Sequence, residues 1–163
     1  MMTNQSSDDK MRDMLTDEFI MNNNTNMTYY PARTLATPIT ATGIGLHSGK
    51  QVLQTLRPAP IGTGTVFIRT DLDNTPIPMN AMFIQDTMMS SNLVAGDVRV
   101  GTIEHLLSAV SACGLDNLYI EVNAPEIPIM DGSAAPFLFL IDEAGVAEQP
   151  APKSFLKVKK PYV

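Results

Sequence analysis

Tryptophan is absent from this chain, and cysteine and histidine nearly so: Cys113 stands alone, and His47 and His105 are the only imidazoles. A lone thiol excludes an intrachain disulfide and a cysteine-based zinc site, which suits a reducing, cytoplasmic setting. No run reaches the roughly 18 apolar residues that a membrane helix needs. The N-terminus also lacks the apolar stretch of a secretory signal. Basic residues number 11 against 17 acidic ones, a net charge of −6. They nowhere interleave with aromatics, and the short basic end around Lys153, Lys157, Lys159 and Lys160 is too mixed to change the balance. Nucleic acid is therefore not an expected partner.

What is present suits a folded domain. Of 163 residues, 44% are hydrophobic and 17% charged, enough apolar content to bury a core. Residues 1–28 differ: polar and rich in asparagine, with the run Asn22-Asn23-Asn24-Thr25-Asn26, they are expected to be a disordered extension. Met11, Met14, Leu15 and Phe19 could at most form one short, marginal helix, and Met27 is a candidate for the true start. Limited proteolysis is expected to cut this extension first; protection equal to that of the core would contradict the assignment.

Ordered pattern begins at residue 29, and a domain is expected over 29–149. Arg33 to Thr42 reads as a strand in which Pro38 marks an edge or a bend. The glycines of Gly43-Ile44-Gly45-Leu46-His47-Ser48-Gly49 call for positive φ or close backbone approach, and the strand-like Gln51 to Arg57 makes this loop the turn of a hairpin. Its spacing is not that of a phosphate-binding loop. Further strands are expected at Thr65–Thr70, near 77–84 and 88–94, and at Val98–Val100 and Leu118–Val122. Ile103, Leu106, Leu107 and Val110 have the spacing of a buried helical stripe. Thr102 is placed to cap that helix by accepting from the His105 amide, and Gly114 to end it. Cys113 reads as a small core residue. A second helix, Ala134–Ala144, is capped by Ser133, with Phe137, Leu138, Leu140 and Ile141 inward. Many short strands with two helices separated by a strand predict an α+β two-layer sandwich: a mostly antiparallel sheet with both helices on one face. Residues 150–163 read as a linker and an unfinished strand.

Glu104 and His105 adjoin in the first turn of the first helix, where the helix dipole favours an anion. On pattern alone such a pair reads as cap and surface. The scarcity of histidine, and the position of His47 in a glycine-rich loop, argue instead for a site.

Several stretches, in order, resemble the N-terminal half of the UDP-3-O-acyl-N-acetylglucosamine deacetylase family, zinc hydrolases of lipid A synthesis. They are Ala41-Thr42-Gly43-Ile44-Gly45-Leu46-His47-Ser48-Gly49-Lys50, Leu56-Arg57-Pro58-Ala59-Pro60, Arg69-Thr70-Asp71-Leu72, Asp86-Thr87-Met88, Thr102-Ile103-Glu104-His105-Leu106, Gly114-Leu115-Asp116-Asn117 and the long run from Glu121 to Phe137. The resemblance covers about residues 32–162. It implies the first of two similar α+β domains with the active site between them. In this likeness His105 corresponds to one of three Zn2+ ligands and Glu104 to the general base acting on zinc-bound water. His47 corresponds to a loop residue facing the substrate, a UDP-linked acylated glucosamine, with a purely structural role as the alternative. Met88 and Met89 correspond to an apolar lip of the site, with rim or core packing as the alternative. Asp131 reads as a turn or capping residue. The resemblance places the remaining ligands, a histidine and an aspartate, with a catalytic threonine and histidine, in a second domain. The chain is expected to end as that domain begins and to be inactive without it. A non-catalytic paralogue acting as a binding module is the rival reading.

Overall fold

Alternation of apolar and polar side chains along two strands determines where the core lies. Val52, Gln54 and Leu56 point to one side of Gln51–Pro58, and Leu118, Ile120 and Val122 to one side of Leu118–Val122, all buried. The antiparallel register pairs Leu56 with Ile120 and Gln54 with Val122, so both buried sets share one face. Tyr119 and Glu121 take the other face, where the Arg57 guanidinium lies 5.5 Å from the Tyr119 ring centroid and 2.7 Å from Glu121.

The computed structural model describes residues 30–85 and 89–155. The expected extension 1–28, Met88, and the tail from residue 156 lie outside the described residues. In chain order the strands are β1 Pro31–Leu35, β2 Ile39–Ile44, β3 Gln51–Pro58, β4 Thr65–Arg69, β5 Thr75–Pro78, β6 Ile84–Gln85, β7 Asn92–Ala95, β8 Val98–Val100, β9 Leu118–Val122 and β10 Val146–Pro152. The helices are α1 Glu104–Ala112 and α2 Ala135–Ala144, with a 3-10 turn at Ala81–Phe83. A five-stranded sheet has the order β2-β3-β9-β4-β5, accompanied by a pair β1-β10 and a three-stranded sheet β6-β7-β8. The β4–β9 ladder is parallel; the other described ladders are antiparallel. Ile103, Leu106, Ala109 and Val110 from α1 and its cap, and Phe137, Ile141 and Ala144 from α2, join Leu56, Phe67 and Ile120 in one buried cluster. This is the expected α+β fold, its strands shared among three sheets.

The stretch Arg33 to Thr42 is not one strand. It divides at Ala36-Thr37-Pro38 into β1 and β2, which belong to different sheets. The amides of Ala36 and Thr37 donate to Gly145 and Ala144 at 2.8 and 3.1 Å, so the chain turns onto the end of α2 where Pro38 has no amide to give. Pro150-Ala151-Pro152 is likewise not a linker: it completes β10 against β1. Each strand of a two-stranded sheet has a free edge, and proline is tolerated there because its missing amide can face outward. Leu138 is 39% exposed, contrary to the expected stripe, because Phe137, Ile141 and Ala144 already form the buried i, i+4, i+7 line of α2. The extended stretch expected over 77–84 is interrupted by the 3-10 turn, in which the Met82 amide donates to the Asn80 side chain at 2.9 Å.

A buried polar network joins the edges. The Thr34 hydroxyl donates to the Asn117 carbonyl at 2.7 Å and accepts from the Ala59 amide at 3.0 Å. Asn117 accepts from Gly64 and donates to Gln149, which in turn donates to the Ala59 carbonyl. The Pro58-Ala59-Pro60 and Asp116-Asn117 motifs are thus scaffold. Gln54 contrasts with them: it is 1% exposed on the inner face, and neither of its amide atoms has a hydrogen-bond partner. An unsatisfied buried polar group costs about 1–3 kcal/mol. Gln54→Leu is therefore expected to raise the thermal midpoint by several degrees, measured by calorimetry; a fall would show that the amide is satisfied in solution.

Candidate active site

Helix α1 begins differently from the capping pattern in the sequence. Thr102 is not the N-cap: its backbone sits in the left-handed region at φ 58, and its hydroxyl is buried without a partner. Ile103 takes the cap position, without a side-chain cap. A neighbouring segment supplies what the cap does not. The Ile103 amide donates to the Ser91 carbonyl at 3.3 Å, and the Ser91 amide donates to Glu104 Oε2 at 2.9 Å. One carboxylate oxygen of Glu104 is thereby fixed against the helix start. At the other end, the amides of Leu115 and Gly114 donate to the Val110 and Ser111 carbonyls, with Gly114 at φ 65, the glycine stop that the sequence predicts. Cys113 packs half-buried against the core, and burial pushes its thiol pKa up.

His105 follows Glu104 in the first turn, half-buried, with Nδ1 buried and unpartnered. Asp131 lies close enough to feel its charge. The Asp131 carboxyl is held below the usual range first by the Ser133 hydroxyl, then by the Ser133 amide, with a smaller contribution from the His105 imidazole. Ser133 Oγ in turn accepts from the Ala135 amide at 3.1 Å. Asp131 is the turn residue expected ahead of α2, but Ser133 is not its cap: Ala134 takes the N-cap position without a side-chain cap, and the helix begins one residue later than expected, at Ala135.

His47 is exposed in the β2–β3 loop, which is closed by Gly45 donating to Lys50 and Gly49 to Gly45. Gly49 has φ 63; Gly43 and Gly45 are required instead by close approach. A methyl on Gly43 would lie 2.8 Å from Pro128 Cβ, and one on Gly45 would overlap the Glu126 carboxylate. The run Pro125–Ile129 connects this loop to α1. On one side Gly101 donates to Pro125 at 2.8 Å and Ile127 to Gly101 at 2.9 Å; on the other Ile129 donates to Ile44 at 2.9 Å. One extended segment thus holds both the histidine loop and the residue three before Glu104. Met89 is 84% exposed, so it does not pack into the core.

The sequence reading assigned nothing to Glu126 or Ser91. No local signal marks them, because their partners belong to other elements: His47 and Ser48 for Glu126, almost eighty residues away, and the helix start for Ser91, thirteen residues on. As a zinc site the described residues are incomplete. An imidazole with a buried, unpartnered ring nitrogen is suitable ligand chemistry, but among the described residues no three His, Cys, Asp or Glu side chains are grouped to hold a metal. Nor is any described helix long and apolar enough to cross a membrane.

Left-handed backbone costs a β-branched residue about 1–2 kcal/mol, and the Thr102 hydroxyl is unpaired as well. Thr102→Gly is expected to raise the unfolding temperature by a few degrees, glycine's own chain entropy offsetting only about 0.5–1 kcal/mol. A lower midpoint would show that packing of the threonine methyl outweighs the strain.

The sequence profile of the LpxC family, UDP-3-O-acyl N-acetylglycosamine deacetylase, matches residues 32–163. A protein of Coxiella burnetii (strain RSA 493 / Nine Mile phase I), named UDP-3-O-acyl-N-acetylglucosamine deacetylase, is 55% identical over 129 residues, covering 78% of this chain and 43% of that protein. One of the same name from Teredinibacter turnerae is 56% identical over 132 residues, covering 80% and 44%. The chain spans less than half the length of these relatives.

Proposed function

The chain belongs to the UDP-3-O-acyl N-acetylglycosamine deacetylase family, and from that premise we propose that it supplies the general base and one zinc ligand to an enzyme that hydrolyses the acetamide of a UDP-linked, O-acylated glucosamine in lipid A synthesis. The observation that carries this reading is the α1 start, where Glu104, anchored through Oε2 by the Ser91 amide, adjoins an imidazole whose Nδ1 is unpartnered. His105 would be one ligand of the zinc, and the others come from outside the described residues. Zinc, when bound, supplies Lewis acidity toward water and the acetamide carbonyl.

The chain's own residues account for the proton. With Oε2 held by Ser91, Oε1 of Glu104 is the oxygen left to take a proton from water as that water adds to the carbonyl carbon. The same carboxyl can then return the proton to the departing nitrogen as the C–N bond breaks, releasing acetate and the free amine. The Ser91 bond fixes the carboxylate orientation, which matters because proton transfer needs heavy-atom distances of roughly 2.6–3.2 Å. In this proposal His47, Met88 and Met89 contact the substrate, and the setting is the cytoplasm.

The test is a chimaera in which this domain replaces the matching portion of the Coxiella burnetii relative. Glu104→Gln is expected to keep zinc and lose about 10²–10⁴-fold in kcat, because the amide preserves shape but cannot accept the proton. His105→Ala is expected to lower zinc occupancy. Unchanged kcat in Glu104→Gln with zinc retained would refute the base assignment. The 163-residue chain alone is expected to show neither stoichiometric zinc by metal analysis nor acetate release, since affinity at such sites comes from several ligands fixed together.

A further inference from the structure

Glu126 is a carboxylate only 4% exposed, in a run whose neighbours are proline and isoleucine. Its described partners are not cations. Oε2 accepts from the His47 amide at 3.1 Å and Oε1 from the Ser48 amide at 2.8 Å, and the Ser48 hydroxyl donates as well. Burial alone would raise its pKa, but these hydrogen bonds outweigh it and hold the carboxyl below its ordinary value. Removing a charge from water is costly unless the protein replaces its hydration, and here the replacement comes from two consecutive backbone amides and a hydroxyl of one loop. The loop is shaped to permit it. A side chain at Gly45 would occupy the space of the carboxylate and of Ser48 Oγ.

The backbone on either side of Glu126 is bound in the opposite direction. Gly101, Pro125 and Ile127 exchange hydrogen bonds just ahead of Thr102, Glu104 and His105. The side chain of Glu126 therefore holds the loop of His47, while the main chain of its neighbours Pro125 and Ile127 holds the approach to α1.

We propose that Glu126 is a positioning residue: its carboxylate fixes residues 45–49 to the 125–129 segment and so sets His47 relative to Glu104 and His105. That His47 then meets the substrate rests on the function proposed above; the attachment itself does not, and it can be tested without turnover.

The experiment is NMR on the full 163-residue chain. In the wild type, the His47 and Ser48 amide shifts should move together through one inflection below the ordinary Glu value of 4.5. The carboxylate accepts both bonds above that inflection and loses an acceptor as it is protonated below it. The charge of His47 itself also acts on Glu126, so Glu126→Gln serves as the control. It should abolish the inflection and speed amide exchange at His47 and Ser48 by about tenfold or more, the loss expected for a bond to a charged acceptor. Exchange at Val110 and Ile120 in the core should stay unchanged. Gly45→Ala, which keeps the charge but crowds the carboxylate, should disturb the same two amides. Absence of the shared inflection in the wild type would overturn the proposal, as would equal loss of protection at Val110 and Ile120. If Glu126→Gln does not fold, the wild-type titration decides alone. Loss of the deacetylase reading with the titration intact would leave the anchor standing and remove only its link to substrate.

Discussion

The site depends on a buried charge that cannot be left unpaired. Glu126 enters the interior as an anion, and an anion there must be surrounded by donors. The nearest donors are the amides of a glycine-rich loop almost eighty residues earlier in the chain. Satisfying that carboxylate brings the loop of His47 onto the Pro125–Ile129 run. The same run has main-chain groups of its own to satisfy, and it does so against Gly101. Two elements distant in sequence are thus brought onto one short segment by the requirement that buried polar groups be bonded.

The same requirement explains the helix start. An α-helix begins with free amides, and a threonine cap is the local way to satisfy one. Here Thr102 is committed to a left-handed turn between β8 and α1, and Ser91 performs the service from outside by accepting from Ile103. In return the Ser91 amide engages Glu104, so the residue proposed as base is oriented by a loop rather than by its own helix. Strained backbone of this kind, here beside the proposed base, is tolerated where the surroundings over-determine it.

Some motifs that carry the family likeness do not touch the site. Asp116 accepts from the Arg33 amide at 2.8 Å and pairs with Lys153 at 2.9 Å, while Asn117 connects Thr34, Gly64 and Gln149. These side chains fasten β1 and β10 to the main sheet. Their polar character is structural, and a reading of motif alone cannot separate them from Glu104 and His105.

The sequence by itself determined what short-range physics determines. Period-two alternation located β9, period-3.6 spacing located α1, and Gly114 ended that helix, because each depends on residues within one or two turns of the chain. Local pattern alone left Glu104 and His105 a surface cap; the scarcity of histidine and the family likeness made them a candidate site. The break near Pro38 was legible in the sequence, but tertiary structure alone decided that the two halves of Arg33 to Thr42 join different sheets. It alone placed Pro150–Pro152 in a strand, because an edge against β1 makes proline acceptable there. It alone gave Glu126 and Ser91 their roles, since a carboxylate or an amide acquires its function from the group that meets it. For Glu126 that group lies almost eighty residues away and for Ser91 thirteen, beyond the reach of one element, and only folding brings it near.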